Sequence, residues 1–278
     1  MDADEKALRA ASFGSVARVY AEYRPGYPEE AVSWLLGTSP GRVLELGAGT
    51  GKLTESILAL GHDVVATDPS TQMLAELRRS TPTAHTAVGN AESIALPSGS
   101  VDAVAAAQAF HWFDLDRALP EIARVLRPGG VLVMLWNVAD RKVPWVNKVF
   151  RLLGMSSDSD VGEDPVADSD LFAPSERREI RHWQQLGREA LLGFCSSNSM
   201  FTQLSASEQR DLLDQVGTIY DSYGRGPDGM LLPWTTYCYR SRVTGLPGDR
   251  WNDPSADAEE TGPIEDDDLD DGLLVDFR

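Results

Sequence analysis

Cysteine, long apolar runs and basic charge are all scarce in this sequence of 278 residues. The two cysteines, Cys195 and Cys238, are far apart and lack metal-ligand spacing. We therefore expect reduced thiols in the core of a cytoplasmic protein, and no metal site. Residues 1–11 contain no apolar segment of the kind that a signal peptide needs, so we expect none. No apolar run reaches the roughly 18 residues that span a bilayer, which predicts that membranes are not partners.

Basic residues number 25 against 43 acidic ones, which gives a formal net charge of −18. This balance argues against nucleic acid and anionic membrane surfaces as partners, because like charges repel. Much of the excess lies near the end of the chain, where residues 249–278 hold twelve acidic and two basic residues. Self-repelling charge with few apolar residues predicts a disordered tail over 244–278, although its apolar end, Leu273–Phe277, leaves docking open. The oligomeric state stays unknown.

The most informative segment that is present reads V-L-E-L-G-A-G-T-G, at Val43–Gly51. A run with strand character enters a glycine-rich turn, a helical segment follows, and Asp68 closes the next apolar run. This unit is typical of the nucleoside-binding half of a doubly wound sheet. Glycines let a ligand lie against the backbone, and Asp68 is placed to accept hydrogen bonds from ribose hydroxyls. The alternative is an ordinary strand-to-helix turn in which Asp68 caps a helix.

The spacing of the glycines narrows the choice of nucleoside. It is G-x-G-x-G, and Lys52 stands where the dinucleotide fingerprint needs its third glycine, which disfavours an NAD-dependent oxidoreductase. A P-loop is excluded, because Leu53 stands where Ser or Thr should hold magnesium.

Four segments, in order, resemble the motifs of the class I S-adenosylmethionine-dependent methyltransferases. E-L-G-A-G-T-G resembles motif I, D-P-S-T-Q-M-L at Asp68–Leu74 the second motif, and G-N-A-E at Gly89–Glu92 the third. L-R-P-G-G at Leu126–Gly130 resembles the turn before strand five. The resemblance implies S-adenosyl-L-methionine as the cofactor. It also implies that the following residues bind it: Glu45, Gly47, Ala48, Gly49, Gly51, Asp68, Pro69, Met73, Asn90, Ala91 and Glu92.

Two more segments resemble the methyltransferase type 11 group, which includes small-molecule enzymes similar to trans-aconitate methyltransferase. Phe13–Pro28 carries Y-x-x-x-R-P-x-Y-P, and Ala107–Asp114 reads A-Q-A-F-H-W-F-D. From these segments we predict that Tyr20 and Arg24 belong to a lid, with Arg24 paired to the cofactor's carboxylate, and that Gln108 lies along the methionine moiety. The alternative for the lid is a structural helix with Arg24 in a surface pair.

His111 is the one histidine in the predicted site region, and it is our candidate catalytic residue. It can serve as a base, orient the acceptor, or only bond the backbone. His62, His85 and His182 are predicted to be surface or packing residues. Arg141 and Arg240 are both candidates for binding an acidic acceptor.

Alternating strand and helix patterns predict an α/β protein with a doubly wound, Rossmann-like sheet. We expect strands at 42–46, 63–67, 84–88, 101–107 and 131–136, and helices at 50–60, 70–80 and 115–126. Further on we expect a mobile acidic loop over 156–174, a strand over 178–186, a helix over 205–223 and a closing strand over 230–243. The resemblance implies seven strands, mostly parallel, with the seventh antiparallel. The predicted domains are a helical lead-in or lid (1–40), a methyltransferase domain (41–243) and the acidic tail (244–278).

The function that follows is methyl transfer from S-adenosylmethionine to a small-molecule acceptor, with a preference for O-methylation of a carboxylic acid. N- or C-methylation of a small metabolite is the alternative within the same class. A cofactor-binding module without catalysis is the alternative outside it.

Overall fold

The computed structural model describes residues 17–155, 162–198, 200–223 and 229–244. Within these ranges seven strands form one sheet, in the order β3-β2-β1-β4-β5-β7-β6. The strands are β1 (Arg42–Leu46), β2 (Asp63–Asp68), β3 (His85–Val88), β4 (Val101–Ala107), β5 (Leu126–Ala139), β6 (Glu176–Leu186) and β7 (Met230–Arg242).

The predicted α/β fold class is confirmed. Strands β1 to β5 pair in parallel, and β7 runs antiparallel to both of its neighbours, β5 and β6. The strand order reverses direction at β1, with β2 on one side and β4 on the other. In sheets of this kind the carboxyl ends of the strands at that point form a ligand-binding crevice.

Helices cover the sheet on both faces. In the described chain they are α1 (Ala17–Tyr23), α2 (Glu29–Leu36), α3 (Lys52–Ala59), α4 (Thr71–Ser80), α5 (Leu115–Val125), α6 (Pro144–Leu152), α7 (Arg188–Ser196) and α8 (Ala206–Ser222). None of the described helices is both long and apolar enough to cross a bilayer.

Local sequence explains where several elements begin. Helix α4 begins after Ser70, whose side chain accepts a hydrogen bond from the amide of Met73. Helix α8 begins with a capping box, in which Ser205 and Glu208 satisfy each other's free backbone amides. Strands β1 and β4 are apolar and almost wholly buried, as expected of strands covered on both faces.

The structure extends strand five beyond its predicted start. β5 begins at Leu126 and so includes the predicted turn Pro128–Gly130. At this turn the register of β5 with β4 shifts. Gly129 has a left-handed φ of +76°, which places the irregularity at this residue. Helices α6 and α7 were not predicted, although Pro144 in the first turn of α6 is a start signal that the sequence contains.

The acidic loop predicted over 156–174 lies partly outside the described residues. The chain before Ala17 and the tail from residue 245 lie wholly outside them. Residues 162–174 form no helix or strand, yet Val166 and Phe172 are buried in the core. Asp164 accepts hydrogen bonds from the backbone amide and the hydroxyl of Ser175. The described part of this loop is therefore anchored to the sheet. The prediction of a mobile loop did not include these contacts.

Candidate cofactor and acceptor site

The glycine-rich turn leaves β1 at the carboxyl edge of the sheet. Gly47, Gly49 and Gly51 all have left-handed φ values, of +68°, +56° and +89°. Only glycine adopts such angles without strain, so the three glycines are needed for the shape of this turn. A Cβ at Gly49 would meet nothing within 4 Å, which leaves open space against the backbone for a ligand.

Gly47 and Gly49 differ in what surrounds them, and this gives a stability prediction. A Cβ at Gly47 would lie 2.6 Å from the Cβ of Ala109, whereas at Gly49 it would meet open space. We expect Gly47→Ala to lower the free energy of unfolding by about 2–4 kcal/mol, from the left-handed φ and from overpacking. Gly49→Ala is the matched control, with only the backbone cost of about 1 kcal/mol. Chemical denaturation measures both, and equal losses would contradict the role of Ala109.

Asp68 ends β2 beside this turn and is buried. One carboxylate oxygen accepts a hydrogen bond from the Gly49 amide at 2.9 Å, and the other accepts one from the Ser70 amide at 2.8 Å. Burial raises the pKa of this carboxyl, and the two amides act in the opposite direction. Asp68 therefore fixes the position of the glycine turn, and each of its oxygens keeps lone-pair capacity for a further donor.

Glu45 lies beneath the turn, inside the sheet. Its side chain is 1% exposed and accepts a hydrogen bond of 2.6 Å from the hydroxyl of Thr54 in α3. Burial raises its pKa to about 8, so Glu45 is mostly protonated at neutral pH. This hydrogen bond links β1 to the first turn of α3, on either side of the glycines.

The residues predicted on the adenine side flank the ends of β2 and β3. Met73 and Ala91 are buried, Asn90 and Pro69 are exposed, and Glu92 is half-buried. Glu92 accepts a hydrogen bond of 2.9 Å from the amide of Asp114, at the start of α5.

Gln108 follows β4 and adopts a left-handed φ of +54°, which among the described residues only glycines otherwise do. Strain of this kind in a non-glycine residue is found most often at functional sites. The side-chain amide of Gln108 donates to the carbonyl of Asn137 on β5, at 2.9 Å. His111 comes next, exposed, on a single 3-10 turn (Phe110–Trp112).

A cleft of about 2030 Å³ opens beside these residues. Of the residues predicted from sequence, Tyr20, Arg24, Gln108 and His111 line it. Lys52, the first residue of α3, also lines it and marks where the cleft meets the glycine turn. The rest of the wall comes from the ends of β5, β6 and β7 and from the β5–α6 loop, with Trp136, Trp183 and Trp234 among its aromatics. Arg141, a sequence candidate for binding the acceptor, lines it too, whereas the remaining residues predicted to bind the cofactor do not.

The lead-in helix α1 is fastened to α7. Gly193 on α7 leaves room for the ring of Tyr23, and an added Cβ would collide with it. Arg24 donates to the Ser197 hydroxyl at 2.9 Å, and its guanidinium lies 4.9 Å from the ring centre of Phe194. No described carboxylate forms an ion pair with Arg24, so its charge stays available to an anionic ligand in the cleft.

His182 is a functional candidate that the sequence prediction missed. It lies on β6, half-buried in the cleft wall, and burial lowers its pKa. Its Nε2 atom lies 3.4 Å from the side-chain oxygen of Asn137, which also accepts a 2.6 Å hydrogen bond from Thr236. No local sequence pattern indicates this contact between His182 and Asn137. The two residues lie on β6 and β5, which are far apart in the chain and are brought near each other by β7 between them.

This arrangement fits a nucleoside cofactor. The turn has open space at Gly49, and Asp68 follows at the end of the adjacent parallel strand, where it could accept from hydroxyl groups. A family model described as a methyltransferase domain matches residues 44–134 of this chain. An uncharacterized methyltransferase of Mycobacterium tuberculosis is 40% identical over 234 residues, which make up 84% of this chain and 96% of the relative. The chain belongs to the methyltransferase family.

Two further proteins resemble this methyltransferase. A malonyl-[acyl-carrier protein] O-methyltransferase of Methylococcus capsulatus is 39% identical over 142 residues, covering 47% of this chain and 52% of the relative. A solved structure from Anaeromyxobacter dehalogenans, a type II methyltransferase candidate, is 26% identical with a TM-score of 0.57. That similarity covers 79% of this chain and 98% of the other. The enzyme class and the cofactor predicted from the motifs are confirmed: this methyltransferase uses S-adenosylmethionine.

Proposed function

We propose that this methyltransferase O-methylates a carboxylic acid group of a small-molecule acceptor. The observation that carries the proposal is the charge of the cleft. Although the chain has a net charge of −18, the described cleft residues include six Lys or Arg and four Asp or Glu. A basic cleft in an acidic protein attracts anionic ligands selectively.

The acceptor chemistry agrees with the residues that the cleft offers. When bound, S-adenosylmethionine supplies an electrophilic methyl group. A carboxylic acid has a pKa near 4 and is already ionised at pH 7, so it needs no base. The protein has only to align the carboxylate and keep water away, for which the aromatic residues Trp136, Phe110 and Tyr239 are suited.

Similarity to other methyltransferases also supports O-methylation of a carboxylate. The Methylococcus capsulatus relative is named for O-methylation of a malonyl group, and this chain spans about half of its length. The segment Ala107–Asp114 resembles the corresponding segment of trans-aconitate methyltransferase-like enzymes. On this proposal the roles of the site residues are those predicted from sequence: the glycine turn, Asp68 and Arg24 hold the cofactor, and His111 orients the acceptor.

A second candidate function is methylation of a neutral nitrogen or carbon nucleophile. The observation that favours it is His182. A histidine whose pKa is lowered by burial is neutral at pH 7, and contact with Asn137 fixes its ring. Because the oxygen of Asn137 accepts, Nε2 is the donor in this contact and Nδ1 keeps its lone pair. Such a ring is suited to removing a proton.

The proposal is tested by measuring whether alkali releases the labelled methyl group from the product. The full-length protein is incubated with S-adenosylmethionine labelled in the methyl group and a panel of carboxylic acids, phenols and amines. Methyl esters release labelled methanol in mild alkali, whereas N-methyl and C-methyl products do not. Ester label with the acids is the expected result. Label that resists alkali and appears only with amines would overturn the proposal.

Substitution of the two cleft histidines separates the candidates. For a carboxylate acceptor we expect kcat to be flat from pH 6 to 8 and little changed by His182→Gln. We expect His111→Gln to raise KM about 3–10-fold, as loss of one orienting hydrogen bond would. A base mechanism predicts instead a loss in kcat of about 100-fold or more for one of the two variants. Steady-state kinetics on the best acceptor decides between these outcomes.

A further inference from the structure

Arg141 lies in the loop between β5 and α6, half-buried in the cleft wall. It donates one hydrogen bond to the carbonyl of Met155 at 3.0 Å and another to the side-chain oxygen of Asn147 at 3.1 Å. Both acceptors are neutral. The guanidinium is thus held in a fixed position by groups that do not neutralise its charge.

The remaining donors of Arg141 have no acceptor in the described chain. Its Nε is buried without a hydrogen-bond partner, and each terminal nitrogen has one N–H left over. No described carboxylate lies within ion-pair distance of it. A guanidinium cannot lose its proton at physiological pH, so partial burial without a counter-charge is unfavourable. A ligand carboxylate that reaches the terminal nitrogens from the cleft would relieve this cost.

The other cations of the cleft are accounted for differently. Lys142, Arg151 and Arg181 are exposed and keep their hydration. Lys52 is the first residue of α3 and lies next to the glycine turn. Arg24 is the predicted partner of the cofactor's carboxylate.

Arg240, the other sequence candidate for an acidic acceptor, is not among the cleft residues. It forms an ion pair of 2.6 Å with Glu176 and also donates to the carbonyl of Trp34. The structure thus separates two arginines that the sequence left equal.

We propose that Arg141 binds a second anionic group of the acceptor, which makes the acceptor class dicarboxylic acids. This inference rests on the proposed O-methylation of a carboxylate. The group held by Arg141 is not the one that is methylated, because a guanidinium paired with a carboxylate withdraws electron density from its oxygens. The reacting carboxylate lies elsewhere in the cleft, and Arg141 fixes the far end of the molecule.

Paired ligands test the inference directly. Dicarboxylates of three to six carbons are each compared with their monoamides, which have the same shape and one charge less. Binding to the full-length protein saturated with S-adenosylhomocysteine is measured by calorimetry, and ester formation is measured separately. The variants are Arg141→Gln, Arg141→Lys and the control Lys148→Gln, which removes an exposed cation of α6 that does not line the cleft.

The expected result is that the wild type prefers the best dicarboxylate over its monoamide by at least about 10-fold. Arg141→Gln should weaken dicarboxylate binding about 30-fold or more and remove the preference. Arg141→Lys should keep part of the preference, and Lys148→Gln all of it. Affinity for S-adenosylhomocysteine should be unchanged in all three variants.

Two results would overturn the inference: a wild type with no preference, or an Arg141→Gln variant that weakens both ligands equally, which indicates a structural role. Failure of the proposed function looks different. If dicarboxylates bind through Arg141 but no base-labile methyl ester forms, the anion site stands and the O-methylation proposal falls. If esters form equally on acids and monoamides, the proposed function stands and the Arg141 inference falls.

Discussion

Replacing Asp68 with alanine should lower the affinity for S-adenosylmethionine by about 100-fold or more. The carboxylate is the predicted acceptor for two ribose hydroxyls, and hydrogen bonds to a charged group contribute about 1.5–3 kcal/mol each. The substitution also frees the amides of Gly49 and Ser70, which Asp68 now holds. The glycine turn would then lose part of its fixed shape before any ligand binds. Calorimetric titration with the cofactor measures the loss.

Asp63→Ala is the matched control for this prediction. Asp63 begins the same strand at the opposite end and is exposed, and its one ion pair within the described residues is with the half-exposed Arg42. Exposed pairs of this kind contribute little, so cofactor affinity should change less than about 2-fold. An Asp68→Ala protein that binds the cofactor as tightly as the wild type would refute the ribose assignment.

Replacing Glu45 with glutamine should remove a large pH dependence of stability. Burial raises the pKa of this carboxyl to about 8 in the folded protein, well above its ordinary value. Above pH 5 the unfolded chain has lost this proton while the folded protein keeps it. Stability from this group therefore falls as the pH rises, until the folded carboxyl itself ionises near pH 8. Between pH 5 and 8 the loss amounts to about 3 kcal/mol.

Glutamine keeps the acceptor that Thr54 needs and has no proton to lose. We therefore expect the Glu45→Gln protein to gain about 3 kcal/mol over the wild type between pH 5 and pH 8. Urea denaturation at several pH values measures the difference. Glu55→Gln, an exposed change on α3, should follow the wild type throughout. Parallel curves for the wild type and Glu45→Gln would show that Glu45 is ionised when buried.

The cofactor half of the site was predictable because its signals are local. Strands β1 and β4 have the bounds that the sequence predicts, since short apolar runs between turn signals define them. The left-handed angles of the turn follow from the glycines themselves. Asp68 lies beside Gly49 because adjacent parallel strands end at one edge of the sheet.

The acceptor half was not predictable in this way. His182 was expected to be a surface or packing residue, yet it contacts Asn137, 45 positions away in the chain. Arg141 and Arg240 look alike in sequence, and only the structure shows that Arg141 lines the cleft whereas Arg240 pairs with Glu176. Helix α7, which fixes Arg24 through Ser197, has no strong sequence signal at either end.

The sequence by itself determined the doubly wound sheet, the cofactor and the enzyme class of this protein. The sheet follows from hydrophobic periodicity, and the turn from a backbone geometry that requires glycine. The cofactor and the enzyme class follow from the resemblance of four ordered motifs to those of the methyltransferases. The tertiary structure decided which cations and histidines face the acceptor. Those side chains come together only when β7 pairs antiparallel with β5 on one side and β6 on the other. No local sequence pattern indicates which charged side chains lack a partner after these strands have paired.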